Sequence, residues 1–236
     1  MTRTILVVCI AAAALSTAAF ASGDPSGADV LKHIEAQVAG VKDYTVTLDV
    51  VADIEHMKVP PMHATLYYKK PDKVHVASKN FAMVPRESMG MQFSKLSERY
   101  AVDSVLADAK ATPPTYRLVM HPRDERSAIR KIVLTVNGER WTPERIEIPQ
   151  ADRSLMKAEF AYQHESGFWM PSVLTVSFAM GQSDTTGTPP ANPFGGGGRM
   201  PARGAGRTGT ITVKYSEYKV NTGLGDEVFV ETGEPK

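Results

Sequence analysis

Residues 64–78 read Ala64-Thr65-Leu66-Tyr67-Tyr68-Lys69-Lys70-Pro71-Asp72-Lys73-Val74-His75-Val76-Ala77-Ser78. Leu66 and Tyr68 alternate with Thr65, Tyr67 and Lys69 on one side of a Pro-Asp break. Val74 and Val76 alternate with Lys73, His75 and Ala77 on the other. A period of two on both sides of a turn signal predicts two half-buried antiparallel strands. A three-residue loop, Lys70 to Asp72, sets Tyr68 opposite Val74 and Leu66 opposite Val76, so both apolar rows share a face. A two-residue loop would slip the register and flip every side chain. Pro71 suits the loop because its φ is fixed and it has no N–H to give a ladder.

Working outward, the same alternation recurs along the chain. Tyr44, Val46, Leu48, Val50 and Ala52 alternate with Thr45, Thr47, Asp49 and Asp53 in a strand ending at Ile54. Further rows are Tyr116, Leu118 and Met120; Ile132, Leu134 and Val136; Ile146 and Ile148; Ala158, Phe160 and Tyr162; Leu174, Val176, Phe178 and Met180; and Ile211, Val213 and Tyr215. Asn137-Gly138 and Glu165-Ser166-Gly167 mark turns between them. About ten short strands with few crossovers predict one antiparallel, strongly twisted sheet. Two helices are available to cover one face. Ser26 to Val41 carries Leu31, Ile34, Val38 and Val41 at helical spacing with Ser26 as N-cap. Phe93 to Ala109 reads as the second, through Phe93, Leu96, Tyr100 and Ala107. The expected class is mainly β with a few helices.

The chain has 236 residues. Its first 21 read as a cleavable export signal: Arg3 is the basic start, Ile5 to Leu15 the apolar stretch, and Ala19-Phe20-Ala21 the small-x-small cleavage site. Residues 22–236 are then one domain, expected in the periplasm. Cys9, the one cysteine, lies in the signal, so the mature chain is expected to lack disulfides, thiolate chemistry and cysteine-ligated metal. The full chain carries 27 basic and 26 acidic residues, and removing the signal takes Arg3 with it. That balance gives no attraction to nucleic acid or to a charged membrane surface. Residues 181–209 are rich in Gly, Pro, Thr and Arg with few apolar residues, the composition of a disordered insertion within a hairpin.

The sequence lacks a Gly-x-Ser-x-Gly elbow, a phosphate loop and a His-Glu-x-x-His pair, and no cofactor signature is present. It therefore points away from an enzyme. His56-Met57 and Met62-His63 flank a Pro-Pro turn, and converging thioethers with imidazoles would suit Cu(I). Residues 81–93 are apolar, Met-rich and aperiodic. Core filling and an apolar ligand pocket explain Phe81, Met83, Val84, Met89, Met91 and Phe93 equally well.

The order of export signal, amphipathic helix, long strand and Leu66-Tyr67-Tyr68-Lys69-Lys70-Pro71-Asp72-Lys73-Val74 resembles the LolA/LolB-like superfamily of periplasmic lipoprotein carriers and receptors. Pro143-Glu144-Arg145-Ile146-Glu147-Ile148, Lys157-Ala158-Glu159-Phe160-Ala161-Tyr162, Gly167-Phe168-Trp169-Met170-Pro171-Ser172 and Tyr215-Ser216-Glu217-Tyr218-Lys219-Val220-Asn221 extend the likeness over most of residues 26–230. The resemblance implies an unclosed antiparallel half-barrel with a helical lid over an apolar cavity for acyl chains. The insertion at 181–209 departs from the common pattern. So does strand one, which offers Asp49 and Asp53 where a carrier arginine would be sought.

On that reading the cavity is lined from strand one by Leu48 and Val50, and from the hairpin by Leu66, Tyr68, Val74 and Val76. Phe81, Met83, Met89, Met91 and Phe93 line it from the Met-rich connection, and Leu118, Leu134 and Phe160 from the later strands. Implied partners are lipid or lipoprotein acyl chains and inner- or outer-membrane lipoprotein-handling proteins, with the protein a monomer. The alternatives are an envelope lipid-sensing or scaffold domain of the same fold, or a periplasmic copper-binding protein.

Overall fold

The computed structural model describes residues 24–78, 92–127, 129–149, 155–180 and 207–230. Helix α1 (Gly27–Ala39) precedes strands β1 (Asp43–Ile54), β2 (Met62–Lys69) and β3 (Lys73–Ala77). A 3-10 turn (Gln92–Lys95) leads into the single-turn helix α2 (Leu96–Arg99). Then come β4 (Tyr100–Asp108), β5 (Thr115–Pro122), β6 (Ile132–Asn137), β7 (Thr142–Pro149), β8 (Leu155–Glu165), β9 (Phe168–Met180) and β10 (Arg207–Val220), and a last 3-10 turn (Asp226–Phe229).

Among the described residues the ten strands lie in one sheet of order β3-β2-β1-β10-β9-β8-β7-β6-β5-β4, every pair antiparallel. It consists of two meanders, β1 to β3 and β4 to β10, welded by the β1–β10 ladder. The sheet is unclosed: β3 and β4 are its two edges. In the founding hairpin Tyr68 faces Val74 and Leu66 faces Val76 across a loop of Lys70 to Asp72, the register that the apolar pattern demands.

Along β1 the side chains at Tyr44, Val46, Leu48 and Val50 are buried and those between them are half-buried. The buried set faces the concave side, as do Leu66 and Tyr68 opposite them. The intervening residues of the outer face are polar and paired: Arg145 with Glu159, Lys157 with Glu159, and His63 with Asp49.

Helix α1 lies over the concave side. Ser26 and Asp29 form a reciprocal capping box. The bonds from Ser26 hold the Asp29 carboxyl below its ordinary range. Val30, Leu31, Ile34 and Val38 form the buried stripe. The helix stops at Gly40, where a Cβ would come within 2.8 Å of the Phe168 ring. Lys70 Nζ donates to the Ala39 carbonyl (2.5 Å) and Asn221 Nδ2 to that of Gly40 (3.0 Å), satisfying the helix end. Beside it the buried Asp43 carboxylate accepts from the backbone N–H groups of Thr222 and Gly223, which offsets its desolvation.

Two expectations need correction. Phe93 to Ala109 is not a helix: after α2 the chain enters β4 at Tyr100. A register shift at Asp103 leaves Tyr100 and Ala107 on the same face of β4, and their separation of two helical turns imitates helical spacing. The insertion is also shorter than 181–209 at its far end. Arg207, Thr208 and Gly209 belong to β10 and pair with Met180, Ala179 and Phe178. The remainder, 181–206, lies outside the described residues, as do the export signal (1–21) and most of the Met-rich connection.

Candidate functional site

The concave core divides into two clusters. One gathers Val46, Leu48, Val50, Leu66, Tyr68 and Val76 with Met170, Leu174, Val213 and Tyr215. The other gathers Val30, Leu31 and Ile34 of α1 with Leu96, Leu118, Met120, Leu134 and Val136. Ile146 packs against both. A single row crosses eight strands through both clusters: Ala52, Ile211, Val176, Ala158, Ile146, Leu134, Leu118 and Val105 are cross-strand partners in turn. Leu118 and Leu134 are sealed, as is the small Ala158 between Val176 and Ile146, whereas Ile211, Val176 and Ile146 themselves remain half-buried, as do Phe160 and Met156 beside them.

Below this seam, between α1 and the turn-proximal ends of β7 to β9, lies a narrow cleft of about 280 Å³ of atom-free space, part of it open to solvent. Ile34, Gln37 and Val38 line it from α1, and Phe93 from the 3-10 turn. Trp141, Thr142 and Pro143 come from the entry to β7; Tyr162, Trp169 and Pro171 come from β8 and β9. It admits about one water molecule, so it lies below the usual range of ligand pockets.

A repeated Trp-x-Pro builds its floor: Trp141-Thr142-Pro143 and Trp169-Met170-Pro171. Proline cannot donate to a ladder, so both sit where the register shifts, with Glu144 and Ser172 as the extra residues. Each proline carbonyl takes a tyrosine hydroxyl instead. Tyr162 donates to Pro143 (2.5 Å) and Tyr218 to Pro171 (2.8 Å). Burial pushes both phenols well above their ordinary range, and the nearby Glu144 adds to the shift at Tyr162.

Trp141 adopts a left-handed φ of 54° after a turn that Asn137 holds by accepting from the N–H groups of Glu139 and Arg140. Gly138 is required there, since a Cβ would lie 2.9 Å from the Pro114 carbonyl. The indole is stacked between His33 of α1 (4.2 Å) and Tyr116 (5.2 Å), while Arg140 lies over Trp169 (4.9 Å). The Thr142 hydroxyl, in a residue only 2% exposed, finds no hydrogen-bond partner among the described residues. Such burial costs about 1–3 kcal/mol.

Of the residues expected from the sequence to line a cavity, Phe93 lines the cleft and meets Phe160 edge-on at 5.4 Å. Leu48, Val50, Leu66, Tyr68 and Val76 are buried in the first cluster, with Val74 and Phe160 packed against it. Leu118 and Leu134 are buried in the second. Phe81, Met83, Met89 and Met91 lie outside the described residues. The copper arrangement does not assemble: Met62 enters the core while His63, its neighbour on β2, points outward to Asp49. Sequence reasoning missed Gln37, Trp141, Thr142 and Trp169. The doubled Trp-x-Pro, which uses both tryptophans of the chain, was the available signal.

An open antiparallel half-barrel with a helix across its concave side can be compared with solved structures. A domain from Vibrio parahaemolyticus described as an outer membrane lipoprotein-sorting protein superposes with a TM-score of 0.57 at 12% identity, over 85% of this chain and 94% of that one. The fold is LolA-like. A LolA superfamily protein from Nitrosomonas europaea matches at 0.51 and 10% identity, over 88% and 98% of the two chains. A DUF1329 family protein from Desulfovibrio piger matches at 0.56 and 14%, over 89% and 99%. No family model matches the sequence, and no curated protein matches it.

Proposed function

We propose that the protein is an exported carrier that sequesters acyl chains of a lipid or lipoprotein on the concave face of its LolA-like half-barrel, without covalent chemistry. One observation carries this reading: the half-buried apolar seam of Ile146, Val176 and Ile211 between two sealed clusters. A core evolved for stability alone gains by sealing such residues, whereas a carrier needs apolar surface that its cargo can finish burying. From Ile211 to Ile146 the seam crosses three strand spacings, about 14 Å. Burying eight methylenes there would yield roughly 6 kcal/mol before ordering costs. The proposed lining includes the buried residues of the concave face, from Leu48 and Leu66 to Leu118, which come into contact once α1 shifts. The likeness to a lipoprotein-sorting domain supports the choice of cargo class.

The test is native mass spectrometry of the protein recovered from its own cell envelope, together with titration of a fluorescent fatty-acyl analogue. The expected result is a mature chain beginning at Ser22, co-purifying with acyl species and binding the analogue. A chain that carries no acyl species and binds no analogue overturns the reading.

A further inference from the structure

Resting on that carrier reading, we propose that the cleft beneath α1 is the subsite for the polar end of the cargo, an uncharged ester or amide carbonyl that accepts a hydrogen bond from the Thr142 hydroxyl. Thr142 is buried, lines the cleft and has no hydrogen-bond partner among the described residues. A native interior seldom leaves such a donor unmatched, so a group that enters and accepts from it is the economical explanation. Gln37 of α1 adds an amide to the same lining, able to donate or accept.

Chemistry of the walls selects the class. Isoleucine, valine, proline, phenylalanine, tyrosine and tryptophan supply the rest, the Tyr162 hydroxyl being already engaged by the Pro143 carbonyl, and among the described residues no charged side chain lines the cleft. The nearby Arg140 and Glu144 neutralise one another at 3.3 Å. A carboxylate or phosphate would therefore enter without a counter-charge, whereas a neutral carbonyl needs only the donor. The position also fits. Phe93 lines the cleft and touches Phe160, which packs on the seam side of the first cluster. An acyl chain running from a carbonyl at Thr142 toward Val176 would pass only the apolar rings of Phe93 and Phe160.

Displacement of an apolar dye from the mature protein, by a long-chain fatty-acid methyl ester and by the alkane of matched length, tests this. In Thr142→Val, which keeps shape and removes the hydroxyl, the ester is expected to bind about three- to tenfold more weakly with the alkane unchanged. Thr142→Ser should restore the ester, and the free fatty acid at neutral pH should bind the wild type less well than the ester. In the wild-type complex the infrared carbonyl band of the ester should move to the lower frequency of a hydrogen-bonded group, a readout independent of whether either variant folds. Unchanged or equal loss for ester and alkane, or an unshifted carbonyl band, means that the cleft holds a water only and overturns the subsite while the carrier stands. Failure of the wild type to bind either probe overturns the carrier reading itself.

Discussion

The two core clusters are built differently. The first is mostly strand on strand: Tyr44, Leu48, Leu66, Tyr68 and Val213 fill it, and α1 contributes little beyond Val38. Its aromatic rings stack on one another, Tyr44 on Tyr68 at 5.0 Å. The second depends on the helix, since Val30, Leu31 and Ile34 close over Leu118, Leu134 and Val136. One cluster can therefore persist when α1 moves, and the other cannot. The seam between them, from Ile146 to Ile211, is where movement would open a path.

Charge insertion gives the largest expected contrast. Leu66→Lys places an unpaired ion where the native residue is fully buried, at a cost of several kcal/mol. It should fail to fold or lose most of its urea resistance. Val176→Lys enters the half-buried seam, can reach water with its ammonium, and should stay folded while losing acyl-analogue binding. Equal unfolding of both variants would erase the distinction between seam and core.

Next comes the tyrosine frame beneath the seam. Tyr218→Phe leaves the Pro171 carbonyl without its donor and should cost about 1–3 kcal/mol in chemical denaturation. The same frame predicts a pH dependence. The folded-state phenols of Tyr162, Tyr215 and Tyr218 lie above the ordinary value of 10.0 because of burial. Their contribution is complete below about pH 10 and declines as the pH rises beyond it, because the unfolded chain ionises first. A denaturation midpoint that stays flat from pH 9 to 11 would contradict these burials.

A smaller effect tests the helix-dependent half. Ser26→Ala removes the N-cap of α1 and should lower stability by about 1 kcal/mol. Hydrogen exchange should rise around Leu118 and Leu134 more than around Leu48 and Leu66. Uniform acceleration would mean that the clusters open together. Smallest of all, a short turn in place of residues 183–204 should leave the melting temperature nearly unchanged. The ladder is paired up to Met180 and Arg207, and each doubling of loop length costs only about 0.6 kcal/mol.

What the sequence made legible follows from period. Strand alternation places Tyr44 to Val50 and the hairpin rows on one face, and the structure keeps that register. The Ser26 cap was legible because its chemistry is local. Period failed at the register shifts. At Asp103 the inward row skips one residue and β4 resembled a helix. At Pro143 and Pro171 the ladder breaks, and the cleft forms at those breaks. Thr142 carried no signal of its own, because an unmatched hydroxyl is defined by what surrounds it in space.

The weld between the two meanders also governs when the molecule can close. β2 and β3 can pair with β1 as soon as they are made, and β4 to β10 can grow hairpin by hairpin. Contacts across the weld join positions as distant as Lys42 and Asn221, 179 residues apart. Such a pairing must await the last strand and is slow by topology. A chain emerging N-terminus first would thus leave its concave face exposed to solvent until β10, the last strand in the chain, arrives to complete the barrel wall.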